Sequence, residues 1–295
     1  MSKAVRYRVR HETVYMYRSD VVHSRQLLHL IPRPAPYQQC LEHEIHISPG
    51  LFRRTEELDA FGNPVSRVEF DRPHRRLEVT TDMEVEVYPR PAIPAADTIP
   101  WDELAARFSH TGQPPARTDL EAARFRHESP YVRVKRMFTD YAEDCFPAGR
   151  PVLVSAQELM TKLHTELKYA PGATTIATPV TEVLEIRRGV CQDFAHLMIA
   201  CLRSLGLPAR YVSGYVRSLV GSAASHAWVA VYIPPFDWVE LDPTNDTLIS
   251  TDHIAVAWGR DFGDVSPLRG IILGGGRHSL TVDVKVERGS SSRPS

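Results

Sequence analysis

Cysteine is scarce: Cys40, Cys145, Cys191 and Cys201 are all that 295 residues contain, and no two form a C-x-x-C pair. That spacing excludes a disulfide scaffold, a zinc ribbon and a thioredoxin-type motif. Long apolar runs are lacking too. No stretch reaches the roughly 18 residues that a membrane-crossing helix needs. The opening Met1-Ser2-Lys3-Ala4-Val5-Arg6 shows no apolar leader segment. Neither sign of charge prevails: 35 Lys and Arg stand against 36 Asp and Glu, for a net charge of −1. The electrostatic footprints of nucleic-acid binding and of a polybasic membrane anchor are therefore missing. These absences predict a cytoplasmic protein with reduced thiols and neither nucleic-acid nor membrane partners.

What remains is the composition of an ordinary globular chain, 43% hydrophobic and 24% charged. Its length predicts about two domains. The first third reads as β. Tyr7, Val9, Thr13, Tyr15 and Tyr17 alternate with more polar neighbours. Leu77, Val79, Met83, Val85 and Val87 face away from Glu78, Asp82, Glu84 and Glu86. Period two marks half-buried antiparallel strands. With the Gly62-Asn63-Pro64 turn it predicts a β-sandwich over 1–90. Pro89, Pro91, Pro94 and Pro100 then mark a linker, so 91–150 reads as linker plus helical segment.

Residues 151–288 read as the second domain. Short helices are expected over 101–108, from an Ser129-Pro130 cap to about Tyr141, and from a Ser155-Ala156-Gln157-Glu158 capping box to about Tyr169. Phe194, Leu197, Met198, Cys201, Leu202 and Leu205 recur at helical spacing from Cys191, and Gly206 and Pro208 end the run. Strands then follow over 209–216, 226–233 and 238–241, with a last one over 280–286. Helices followed by an antiparallel sheet define an α+β domain. The Ser-rich end, 289–295, reads as a disordered tail.

The chemistry concentrates in three places. A glycine-led loop, Arg188-Gly189-Val190, delivers Cys191 to the first turn of an apolar helix, where free N–H groups and the helix dipole favour an anion. A lone cysteine is more often buried packing. Here, however, His226 opens one strand, and Asp242 closes the next beyond a Pro234-Pro235 turn, which brings imidazole and carboxylate side by side. Thiol, imidazole and carboxylate are the parts of an activated nucleophile.

Together, Arg188-Gly189-Val190-Cys191-Gln192-Asp193-Phe194-Ala195, Leu207-Pro208-Ala209-Arg210-Tyr211-Val212-Ser213-Gly214-Tyr215, His226-Ala227-Trp228 and Leu241-Asp242-Pro243-Thr244 resemble the bacterial transglutaminase-like superfamily. The likeness covers about residues 150–250. Leu58-Asp59-Ala60-Phe61-Gly62-Asn63-Pro64 resembles the β-rich N-terminal domain that accompanies this core, and 259–267 the family's ending. The resemblance implies a papain-like core, with Cys191 as nucleophile, His226 as base and Asp242 as orienting carboxylate. No cofactor or metal is implied. Attack on a peptide or protein amide would leave a thioester, with the oxyanion on the Cys191 N–H and a second donor, Tyr169 or Gln192. Hydrolysis is favoured over acyl transfer to an amine. A non-catalytic binding or assembly module is the competing class. Substrate selection and dimerisation are both open to the β domain, so a homo-oligomer is compatible with the sequence.

Other candidates weigh less. His43 and His46 would face opposite sides of a strand, which disfavours a metal pair. His11-Glu12 lacks the second histidine of a zincin motif. His196 reads as structural. Gly274-Gly275-Gly276 lacks the strand–helix context of a dinucleotide loop. Asn245-Asp246-Thr247 matches a glycosylation acceptor without secretory context. Arg187-Arg188 reads as solvated or dipole-paired.

Overall fold

A computed structural model describes residues 3–50, 52–108, 117–217 and 224–289. Five strands come first: β1 (Val5–Leu28), β2 (Gln38–Ser48), β3 (Arg53–Leu58), β4 (Pro64–Phe70) and β5 (His74–Val87). The helices α1 (Trp101–Arg107), α2 (Arg117–Ala123), α3 (Arg136–Ala142) and α4 (Val152–Glu166) follow. Next come β6 (Lys168–Tyr169), α5 (Val180–Ile186), β7 (Arg188–Gly189) and α6 (Cys191–Ser204). The chain closes with β8 (Ala209–Val216), β9 (His226–Tyr232), β10 (Trp238–Asp242), β11 (Thr247–Leu248), β12 (His253–Gly259), α7 (Phe262–Val265), β13 (Leu268–Gly274) and β14 (His278–Arg288).

The first sheet is organised by β1, which is 24 residues long. Its first half pairs with β5 and β14, its second half with β4 and β13, and the register shifts between Met16 and Val21. β2 extends one half and β3 the other. The two leaves close on a shared core of Tyr17, Ile45, Leu77 and Val79 from one side and Leu28, Val68 and Phe70 from the other. This is the sandwich that the alternation predicts, made from one continuous antiparallel sheet.

The strand expected over 280–286 exists, but it does not belong to the second domain's sheet. β13 and β14 return to β1 instead. Alternation shows that a segment is a strand and is silent about its partner. Of the tail expected over 289–295, only Gly289 is described, and its N–H donates to Arg6 O at 2.9 Å; residues 290–295 lie outside the described residues.

The second sheet is antiparallel, in the order β11-β10-β9-β8-β12. Every residue of β8 and β9 is buried, because both faces are covered. α6 packs on one face, burying Phe194, Leu197 and Met198 against Tyr211, Val229 and Val231. Trp228, Val212 and Ala230 fill the other, with Trp238 and Trp258.

The first domain closes the free edge of β12 with side-chain amides. Gln38 accepts from Ala255 N at 2.8 Å and donates to Ala255 O at 2.7 Å. Asn63 does the same for Trp258, at 3.0 and 2.9 Å. Asp59 holds Asn63 ready: it accepts from Phe61 N, Asn63 N and Asn63 Nδ2 at 2.7–2.8 Å. Gly62 turns there with φ of 74°, so the Asp59–Pro64 loop is a built device for pairing an exposed strand edge.

Two helix starts differ from expectation. Ser129-Pro130 opens no helix; α3 begins at Arg136. The buried Arg203 guanidinium donates to Ser129 Oγ at 3.2 Å and to His127 O at 3.0 Å, fixing that segment as a turn. α4 begins at Val152 rather than at a Ser155 cap and ends at Glu166. Pro151 precedes it, and Ser155 lies buried within the helix. Tyr169 falls in β6, which pairs in parallel with β7.

Candidate active site

Cys191 is the first residue of α6, where its N–H has no intrahelical acceptor. Local structure sets this position. β7 aligns with β6, and Ala170 N donates to Gly189 O at 2.8 Å. Asp193 reaches back to accept from Val190 N at 2.7 Å and from Thr174 Oγ1 at 2.6 Å. Gly189 is required there, since a Cβ would stand 2.5 Å from Asp193 Oδ2. Cys191 exposes 9% of its surface, and its Sγ lies 4.0 Å from Ser225 O.

The three predicted residues converge. His226 Nε2 donates to Asp242 Oδ2 at 2.8 Å, with both side chains fully buried. Nδ1, the other ring nitrogen, has no hydrogen-bond partner, and Cys191 acts on the ring electrostatically. Burial opposes charge on His226. The Asp242 hydrogen bond and the Cys191 sulfur outweigh it and raise the imidazole from 6.5 to about 10. Burial would likewise raise Asp242, but donors from His226 and His253 hold it well below the ordinary carboxylate range.

Asp242 is more fully engaged than the sequence indicates. Oδ1 accepts from Thr244 N at 3.0 Å and Asn245 N at 3.3 Å. Oδ2 accepts from His226, from Asn245 Nδ2 at 2.7 Å and from His253 Nε2 at 3.3 Å. Ser250 N donates to His253 Nδ1 at 3.3 Å, which leaves the ring proton of His253 on Nε2. His253 and Asn245 are the residues that sequence reasoning missed. Asn245 had a signal: an Asx-type turn after Asp242-Pro243 brings its amide back to the carboxylate. Its Nδ2 is committed there rather than displayed as a glycan acceptor. His253 had none, since the chain crosses from one edge of the sheet at β11 to the other at β12 before reaching Asp242.

The proposed oxyanion donors differ in placement. Tyr169 stands beside Gly189, half-buried, close enough for Cys191 to act on its hydroxyl electrostatically. Gln192 is half-buried on the first turn of α6. His196 is structural: its Nε2 accepts from Phe262 N at 3.1 Å, and burial pushes it down to about 3. Arg187 pairs with Glu166. His11 is buried between Tyr215 Oη at 2.8 Å and Thr13 Oγ1 at 3.1 Å, joining the two domains. Gly274, Gly275 and Gly276, all at positive φ, turn β13 into β14. Among the described residues no group of three or more His, Cys, Asp or Glu side chains is arranged to hold a metal ion, and no helix is long and apolar enough to cross a membrane.

A buried thiol–imidazole–carboxylate row at a helix start, on an α+β core, is the arrangement of the papain-like cysteine enzymes. The chain belongs to the transglutaminase-like superfamily. The superfamily model matches residues 140–243, and that of the bacterial transglutaminase-like N-terminal region matches 7–86. An uncharacterized protein of Mycobacterium tuberculosis is 38% identical over 97% of this chain and 93% of its own length. A solved structure from Cytophaga hutchinsonii, called a "Putative Cysteine Protease", shares the fold with a TM-score of 0.77 at 19% identity, covering 99% of this chain and 93% of that one. A Pseudomonas aeruginosa protein-glutamine gamma-glutamyltransferase is 32% identical over 30% of this chain and 16% of that protein.

Proposed function

We propose that the protein is a cysteine enzyme that cleaves amide bonds through a thioester. The observation that carries this reading is the orientation of His226, whose Nε2 is tied to buried Asp242 while Nδ1 is left for Cys191. A histidine held in this way keeps a proton near the sulfur and can deliver it to a leaving group. Cys191 Sγ attacks the amide carbonyl carbon, and the oxyanion takes the free Cys191 N–H, with Tyr169 or Gln192 as second donor. The carbonyl re-forms, the C–N bond breaks, and the amine leaves with the His226 proton. Water then adds to the thioester, giving its proton back to His226; the C–S bond breaks, the Cys191 thiolate is restored and the acid departs.

Hydrolysis of a peptide, isopeptide or glutamine-type amide is the favoured outcome, because it needs only these groups and water. Transfer to an amine also needs water kept from the thioester. That second reading has support in the name of the Pseudomonas aeruginosa relative. The test is intact-mass detection of an acyl adduct on Cys191 during turnover of a glutamine-containing peptide, with ammonia release followed and a primary amine added. Adduct and free acid, both lost in Cys191→Ala, support hydrolysis; amine incorporation in place of acid supports transfer. A panel of peptide amides that yields neither adduct nor ammonia leads instead to a non-catalytic module.

A further inference from the structure

A cavity of about 530 Å³ lies between the two domains and includes neither Cys191 nor His226 in its lining. Three arginines meet in it: Arg33 and Arg90 from the N-terminal side and Arg210 from β8. Arg210 is 6% exposed. It forms no hydrogen bond or ion pair with any described residue, and its Nε is buried without a partner. The Nε atoms of Arg33 and Arg90 are also buried and unpartnered. Arg33 Nη1 donates to Phe61 O and Asn63 Oδ1 and Arg90 pairs with Glu240, whereas Arg210 feels Glu240 and Asp237 only through space. A buried guanidinium whose donors meet no acceptor is costly, which fits a missing acceptor group.

The surroundings define that acceptor. The Arg210 guanidinium lies 3.7 Å from the centre of the Trp258 ring and 4.2 Å from that of Trp238. Arg33 lies 3.0 Å from the Trp258 ring centre. Stacking fixes guanidinium planes but leaves their edges free, which suits bidentate capture of a carboxylate or phosphate. Glu240 is the buried counter-charge nearby. It is engaged with Arg90 Nη1 at 3.2 Å and accepts from Trp228 Nε1 at 2.6 Å. Phe61, Phe125 and Tyr37 supply apolar wall beyond the cationic end, and the exposed Glu121 and Asp237 also stand on the lining.

We propose that this cavity binds an organic oxyanion, a carboxylate or phosphate with an apolar body, clamped by Arg210 together with Arg33 and Arg90. Trp228 connects it to the candidate active site: its ring centre lies 6.1 Å from that of His226 and 5.5 Å from that of His253.

The full chain is titrated with phenyl phosphate, benzoate and inorganic phosphate at constant ionic strength, read by tryptophan fluorescence. A saturable change is expected, with one of the two organic anions binding at least tenfold tighter than inorganic phosphate. Arg210→Met abolishes it. Arg90→Gln, at a partly exposed side chain and with its fold checked by a melting curve because it also pairs with Glu240, weakens it at least tenfold. Cys191→Ser binds as wild type does, which separates this site from the nucleophile. The proposal is overturned by a response no greater than that to sodium chloride, by unaltered binding in Arg90→Gln, or by loss of binding in Cys191→Ser. Equal affinity for inorganic phosphate removes the apolar body from the assignment.

Discussion

Replacing Asp242 by asparagine changes one atom and leaves no satisfactory orientation for the new side chain. Three donors, from His226, His253 and Asn245, converge on Oδ2, and two backbone N–H groups converge on Oδ1. An amide nitrogen on either side faces at least two donors. His226 loses its anchor, and burial, which opposes its charge, then acts with less to counter it. The rise from 6.5 to about 10 corresponds to roughly 5 kcal/mol of preference for the charged ring, shared between Asp242 and Cys191. If the ring returns to 6.5, its protonated fraction at pH 7.5 falls from nearly complete to roughly a tenth. The direct assay is an NMR titration of ¹⁵N-labelled imidazole in both proteins. Wild-type His226 is expected to hold its proton past pH 9, and Asp242→Asn to release it at least two pH units lower. A wild-type midpoint near 6.5, or one that the substitution does not move, refutes the reasoning. Stability carries the same signature. The folded value of His226 lies above the unfolded one, so its contribution is complete below pH 6.5 and drains away as pH climbs toward 10. Asp242 contributes above its ordinary value and loses that contribution as the solution is acidified.

His253→Phe should lower acylation of Cys191 at neutral pH by about tenfold, as expected of an outer partner of a working group, whereas His253→Gln, which can keep a donor toward Asp242, retains most of it; equal loss in both denies His253 a positioning role. Gly189→Ala places a Cβ 2.5 Å from Asp193 Oδ2 and 2.6 Å from Asp193 Cβ, so the start of α6 must shift, and it should slow alkylation of Cys191 and lower the melting temperature, checked by alkylation rate beside a melting curve. Asn63→Leu strips both bonds from Trp258 and is expected to cost about 1–3 kcal/mol, with hydrogen exchange accelerated at Trp258 and unchanged at Leu197 in α6. If the Trp258 amide stays protected, the edge-closing role of Asn63 is wrong.

The parts of the site legible in sequence were those with local signatures. The run Phe194-Leu197-Met198-Cys201 declares a helix, Gly189 declares its approach, and the alternation from His226 and toward Asp242 declares two strands. The remainder depends on contacts distant in sequence. Ser129-Pro130 looks like a cap, but Arg203 claims its hydroxyl from 74 residues away. β12 has no comparable local signature, although it supplies both His253 and the edge that Gln38 and Asn63 close. In sequence Arg210 is legible only as part of a family motif. Its stacking on two tryptophans could not be read from a strand that merely alternates.

The return of β13 and β14 to β1 makes the second domain, in effect, an insertion within the first sheet. β1 is synthesised before the nucleophile's core and its last partners after it. At the usual ~5–20 residues per second, that edge stands open for on the order of tens of seconds, a template for pairing with other chains. Removing the chain beyond residue 267 would leave every strand beside Cys191, His226 and Asp242 intact. It would also make the exposure of that edge permanent along both leaves of the sandwich. Solubility and chemistry are therefore written in different parts of the chain, and the final strands act as a clasp that is fastened only when the rest is in place.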